Sequence, residues 1–339
     1  MIVSYYPLPM VKILYHILYL LVMKTSILVG GQAVIEGVMM RVPGAYSTAL
    51  RRKDGSIISK RYNFKSIIEQ KGWQNYIILR GMVHLYESMQ IGYKTLNWSA
   101  DTYEEDINPS QSKKSLFQNI AESASNIIAI IFAISLFILL PLFSTTYIVE
   151  DINQPVYFNV ISGIIRISIF FIYLLLISQL SDVKRLFQYH GAEHKTVYNF
   201  ESGRELIPSE AQKFSTKHPR CGTSFIFIIM LVTIFSYTIL DSIALQFIDS
   251  LTILLRFTMH ILFLPFIAGL GYEVLKFLAS KQEIVFFSYL SKPGLWLQNI
   301  TTKSPDDSQI EIAIYALKDA FGDKLNLYSG KEFTADSIG

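Results

Sequence analysis

"VYFNVISGIIRISIFFIYLLLISQL", residues 156–180, carries a single charged side chain, Arg166, in twenty-five positions. A helix of about 20 apolar residues crosses the roughly 30 Å hydrocarbon core of a bilayer while satisfying its backbone N–H and C=O groups internally. The stretch therefore predicts a transmembrane helix. Three others meet the same requirement: Asn126–Thr145, Thr223–Leu240 and Leu251–Leu278. The whole chain agrees, because 339 residues with 51% hydrophobic content, 17% charged residues and a mean hydropathy of +0.35 are too apolar for an ordinary soluble protein. The predicted fold is mainly α: a polytopic membrane protein with about four transmembrane helices.

The connections set the orientation. "TYIVEDINQP" and "DSIALQFIDS" hold no Lys or Arg, whereas the central connection, 181–222, holds Lys184, Arg185, Lys195, Arg204, Lys213, Lys217 and Arg220. The positive-inside bias then places this connection and both termini on the cytoplasmic side of a bacterial inner membrane, or on the stromal side of a plastid membrane. Lipid is the implied partner. A net charge of +3 without a basic run gives no support for nucleic-acid binding, and protein partners stay open at this level. The amino-terminal "VKILYHILYLLVM" is too short to span and lacks a signal-peptide cleavage site, so Met10 and Met23 are alternative starts.

Four regions follow: a variable lead (1–29), a polar region (30–118), the transmembrane region with its central connection (119–279), and a polar carboxy-terminal region (280–339). In the polar region, "STALRRKDGSIISKRYNF" alternates about Asp54-Gly55 and predicts a β-hairpin. The next stretch repeats apolar residues every three or four positions (Ile77, Ile78, Met82, Leu85, Tyr86, Met89), an amphipathic helix on the membrane or against the bundle. A polar linker, "SADTYEEDINPSQSKKS", leads to the first span. Beyond the last span, Ile310–Phe321 predicts another amphipathic helix, entered through "KSPDDS".

The chemistry gathers in the central connection, which holds three of the six histidines. In "YHGAEHKTVYNFESG" (189–203), His190 and His194 fall one helical turn apart with Glu193 beside them. This is the H-x-x-E-H order, in which two imidazoles bind a metal and the glutamate serves as general base. "KHPRCGTSF" (217–225) adds His218 and Cys221 just before the third span, where Thr223 or Ser224 can cap the helix. Cys221 there meets the positive end of a helix dipole beside Arg220, a setting that suits a metal-binding sulfur. As the chain's one cysteine it has no disulfide partner. His190, His194, His218 and Cys221 are thus candidate ligands of a divalent metal, zinc by donor type. Four protein ligands would make a closed, structural site; catalysis needs one position free and Glu193 or Glu201 close by. The plain alternative is a solvated polar connection, in which Gly191 costs the helix about 1 kcal/mol.

"GGQAVIEGVMMRVPG" (30–44) sets four glycines around Gln32, Glu36 and Arg41. It matches neither a Walker loop nor a dinucleotide fingerprint. It reads either as a glycine-punctuated strand packed on the bundle, or as a segment whose Glu36 or Gln32 completes the site, Glu36 as a second catalytic carboxylate. Gln32, Arg41 and Glu201 are the candidates for supporting the bound group. Within the spans, Arg166, Arg256, His260 and Glu273 are costly unless they snorkel, pair between helices or line a polar path.

Taken together, "GGQAVIEGVMMR", "LRGMVHLYESMQIG", "YHGAEHKTVYNFE", "HPRCGTSF" and "PGLWLQNITTKSPDDSQIEIAIYAL" resemble the YqhQ-like membrane proteins from about Gly30 to about Phe321. That bacterial family is of unknown function and is often labelled as predicted metal-dependent enzymes. Relatives usually begin near the Gly-Gly-Gln motif, which favours Met23 as the start. The expectation is a zinc-dependent enzyme, a hydrolase at the membrane surface. A non-enzymatic scaffold or assembly factor with a structural metal is the alternative, and a solute carrier built on Arg256 and His260 is a third reading.

Overall fold

The computed structural model describes residues 29–73, 75–108, 116–219, 221–280 and 285–328; the lead through residue 28, the end of the polar linker (109–115) and Arg220 lie outside the described residues. The first elements among the described residues form a four-stranded antiparallel meander: β1 (Gly30–Val34), β2 (Gly37–Val42), β3 (Ala45–Arg51) and β4 (Ile57–Asn63). Each turn has its local cause. Glu36 takes φ 55° in the tight β1–β2 turn, Gly44 after Pro43 takes φ 81° between β2 and β3, and Gly55 takes φ 85° between β3 and β4. Asp54 Oδ1 accepts from the Ser56 N–H at 2.9 Å, closing the expected hairpin. The glycine-rich motif supplies two further strands.

Helices follow: α1 (Ile67–Lys71), α2 (Ile77–Ile107), α3 (Leu116–Ile134), α4 (Leu140–Ile148), α5 (Pro155–Ile177), α6 (Ser181–Glu201), α7 (Pro208–Ala211), α8 (Gly222–Ala244), α9 (Ile253–Ser280), α10 (Val285–Thr301), α11 (Asp307–Phe321) and α12 (Leu325–Tyr328). Among the described residues four segments are long and apolar enough to cross a membrane: Ser123–Ile148, Pro155–Ile177, Ile226–Ala244 and Ile253–Leu278. All four predicted spans are present within a few residues. One sequence boundary is corrected and two helices fill in what the pattern left general. The predicted linker is helical as far as Ile107, because α2 continues through "SADTYEEDI"; half of the central connection is the 21-residue α6; and α10 is an element the sequence pattern does not announce.

The ionisable side chains that the sequence places in the spans, Arg166, Arg256, His260 and Glu273, each have a polar partner. α3 and α4 join through a π-helical turn, Ser135–Leu139, because Pro141 has no N–H to give the Phe137 carbonyl. Arg166 Nε donates to that carbonyl at 3.0 Å, so this arginine caps a broken helix in mid-span. Glu273 forms a two-pronged pair with Arg80 of α2, at 2.7 and 2.5 Å. There α2 crosses α9 backbone to backbone, since a Cβ on Gly81 would lie 2.6 Å from the Gly269 carbonyl oxygen. Arg256 and His260 both bind Asp241, at 2.8 and 3.0 Å, and Asn159 donates to the same carboxylate at 2.7 Å.

Polar segments separated by spans meet at one face of the bundle. Val38, Met40 and Val42 of β2 pack with Tyr189, Ala192 and Phe200 of α6 and with Ile310, Leu317 and Phe321 of α11. Fully burying each large apolar side chain contributes about 1.5–3 kcal/mol. α11 starts at a capping box between Asp306 and Gln309, which fixes where its apolar stripe meets the sheet. The opposite face of β2, Met39 and Arg41, is left to look toward α2 and the site.

Candidate metal centre

His190 and His194 sit on the buried side of α6, and Cys221 is the N-cap of α8 at the mouth of the third span. One donor atom from each of the three lies within 4.8 Å of the other two. His190 Nε2 is 3.2 Å from Cys221 Sγ, close to the ~3.5 Å expected of two ligands on one tetrahedral zinc ion. Both imidazoles are oriented by backbone carbonyls. His190 Nδ1–H donates to Thr301 O at 2.8 Å and His194 Nδ1–H donates to Thr216 O at 2.5 Å. A carbonyl only accepts, so each Nδ1 carries a proton, and in the neutral imidazole the lone pair then falls on Nε2. That is the tautomer a metal ligand needs. The donor set therefore fits a zinc-type cation on local chemistry alone.

Local sequence explains why the carbonyls are there. A Cβ on Gly191 would lie 2.1 Å from Lys303 O, so only glycine lets residues 301–305 run this close to α6. The Lys303 N–H donates to Phe187 O at 2.9 Å and holds the segment in place. On the other side Lys195 Nζ, buried and with its pKa lowered by desolvation, donates to Gln212 O and Phe214 O at 2.7 and 2.6 Å. This pins the turn that brings Thr216 to His194. Gln298 grips the His218 peptide twice, accepting its N–H at 2.7 Å and donating to its C=O at 2.8 Å.

Glu193 Oε2 lies 3.9 Å from the Nε2 of both His190 and His194. Burial raises its pKa, opposed first by electrostatic attraction to the His190 imidazole and then by a hydrogen bond from the Gly31 N–H. Gly31 is the glycine-rich motif's contribution: a Cβ there would be 2.3 Å from Met39 O and 3.0 Å from Glu193 Cγ. His218 lies at the margin of the donor set, its ring 5.6 Å from that of His194 and its Nε2 4.0 Å from Glu201. The three mutually close donors among the described residues do not include it.

A cavity of about 300 Å³ opens over these groups. His190, Glu193, His194, His218 and Cys221 line it together with Gln32, Met39, Arg41, Ser88 and Ile91. Glu36 is placed elsewhere. It pairs with Arg185, accepting from Nη2 at 2.6 Å, takes a bond from the Tyr189 hydroxyl at 3.2 Å, and lines a separate cavity with Arg51 and Asp106. Sequence reasoning gives no role to Lys195, Thr216, Gln298 or Thr301, which carry no local signal, and meets Gly31 and Gly191 only as part of a glycine-rich motif and as a glycine in a helix that tolerates one poorly.

A family model described as a protein of unknown function, DUF1385, matches residues 77–323. An uncharacterized protein, YqhQ, of Bacillus subtilis (strain 168) is 33% identical over 303 residues, covering 84% of this chain and 89% of its own length. No solved structure matches the chain significantly. The chain therefore belongs to the DUF1385 family, the YqhQ-like proteins.

Proposed function

We propose that this protein is a metal-dependent hydrolase acting at the membrane surface, with zinc held by His190, His194 and Cys221 and with Glu193 as general base. The observation that supports it is the convergence of three donors within 4.8 Å, with a buried carboxylate 3.9 Å from both imidazole Nε2 atoms. Two imidazoles and a thiol suit zinc, and three protein ligands is the number found in catalytic rather than structural sites. Bound there, the cation supplies Lewis acidity to a substrate oxygen and to water. Glu193 accepts the proton that the water gives up, and its burial favours holding that proton until the leaving group needs it. The Gly31 N–H fixes the carboxylate, and the Thr301 and Thr216 carbonyls fix the imidazoles. The lysine and arginine bias of 181–222 puts this face on the cytoplasmic or stromal side.

Zinc content of the purified protein, wild type against His194→Ala, tests the metal; equal and negligible zinc in both ends the reading. Glu193→Gln is expected to keep zinc and fold while losing turnover on a panel of membrane-soluble esters, amides and phosphoesters.

A scaffold with a structural metal is the second reading. It draws support from the way the donors tie α6 to the start of α8 beside α10. It predicts the reverse pattern: Glu193→Gln silent, His194→Ala unstable.

A further inference from the structure

We propose that Arg41 is the anion receptor of the metal cavity, so that the substrate presents a phosphoryl group between Arg41 and the His190–His194–Cys221 set. The inference rests on the metal reading above and names its substrate class.

Arg41 belongs to β2, where its neighbours Met40 and Val42 are buried in the core between sheet, α6 and α11. Strand alternation therefore turns Arg41 the other way, with Met39, into the lining of the cavity that holds the donors. Its guanidinium stacks over Phe64, 4.6 Å from the ring centroid, which fixes the plane and leaves the N–H fork unused. No carboxylate among the described residues hydrogen-bonds to it. Glu87, which lies nearest in electrostatic effect, is already engaged by the Ser66 hydroxyl at 2.8 Å and the Ile67 N–H at 2.6 Å.

A half-buried arginine without a bonded counter-anion, aimed into a cavity that also holds a cation site, is built to receive an oxyanion. A tetrahedral phosphoryl group has oxygens enough to meet both groups at once, and clamping it between a cation and an arginine is how such groups are stabilised. At about 300 Å³ the cavity takes a headgroup rather than a whole lipid. Met39 and Ile91 give the cavity an apolar side, which suits the carbon portion of a phosphate ester.

The test uses full-length protein in lipid nanodiscs, with zinc content measured on every sample. Two probes are titrated: inorganic phosphate, and vesicles of phosphatidylcholine with and without phosphatidic acid. The wild type is compared with Arg41→Gln and Arg41→Lys. We expect phosphate to bind the wild type, about 10- to 100-fold weaker binding by Arg41→Gln at unchanged zinc content, and partial recovery in Arg41→Lys. Binding of phosphatidic acid vesicles but not of inorganic phosphate, again lost in Arg41→Gln, assigns the group to a lipid headgroup. Equal binding by wild type and Arg41→Gln, or no binding of either probe to the wild type, overturns the proposal. Should Arg41→Gln fail to fold, Arg41→Lys binding as tightly as wild type at normal zinc content overturns the two-pronged contact. Arg41-dependent phosphate binding by a wild type devoid of zinc retires the metal reading and leaves the receptor standing.

Discussion

Gly191→Ala separates the structural account from helix propensity alone, because the two predict opposite signs. In an isolated helix the substitution stabilises by about 1 kcal/mol. Here the new Cβ lies 2.1 Å from Lys303 O and 3.3 Å from Pro305 Cδ. A backbone oxygen cannot rotate away, so residues 303–305 must retreat by roughly 1 Å to reach van der Waals distance. That retreat stretches the Lys303 N–H to Phe187 O bond, now 2.9 Å, and the His190 Nδ1–H to Thr301 O bond, now 2.8 Å, beyond useful length. Overpacking costs about 1–3 kcal/mol and two weakened hydrogen bonds about 0.5–1.5 kcal/mol each, so the net loss after the propensity gain is about 3 kcal/mol. Freeing the His190 ring should also lower zinc affinity by about 10- to 100-fold. Thermal unfolding in one detergent, with and without zinc, reads the first effect, and competition with a chromogenic chelator reads the second. A variant that melts higher than wild type and binds zinc as tightly would refute the claimed role of this glycine.

Glu36→Gln should leave zinc content and turnover unchanged, because Glu36 is committed to Arg185 and Tyr189 away from the donors; lost turnover at normal folding would return it to the catalytic machinery. His84, buried in α2 beside Arg41, Lys276 and Arg80, has its pKa pushed down to about 4, chiefly by desolvation. The unfolded chain takes up this proton first as the pH falls, so the stability present above pH 6.5 is lost between about 6.5 and 4, by at most about 3 kcal/mol. The unfolding midpoint of His84→Gln should fall less steeply over that interval than wild type; parallel curves would show the histidine to be indifferent. Arg256→Met leaves the fully buried Asp241 without its guanidinium partner and should cost about 3–5 kcal/mol, seen as a lower midpoint and poor recovery of folded protein. An unchanged midpoint would contradict the ion-pair account.

The spans were legible because lipid imposes a simple rule on composition, and the Asp54-Gly55 hairpin because its turn chemistry is local. The H-x-x-E-H pair was legible for the same reason: four-residue spacing on one helix is a local property. What the sequence hid is long-range. Nothing near His190 says that the carbonyl of Thr301, 111 residues away, holds its ring. Asp241 lies in what reads as a loop-side acidic residue, and its three partners come from two other helices. Glu36 and Glu193 are equally plausible carboxylates on paper. Strand register decides between them, since the Gly31 end of β1 touches Glu193 while the turn at Glu36 projects to Arg185.

Placing the donors where a span begins has a mechanical consequence. Cys221 cannot move without the N-terminus of α8, and α8 is fixed along its length by α5, α9 and α10. The histidines, by contrast, ride on α6, whose position depends on β1 and α11. The site thus joins the apolar helix bundle to a polar cap that has an apolar core of its own. Gln298 and Thr301 of α10 bridge the two, one gripping the His218 peptide and the other the His190 ring. A shift of the polar cap against the bundle changes the His190–Cys221 separation before it changes anything within α6. The geometry of the donors therefore reports how the two parts are docked.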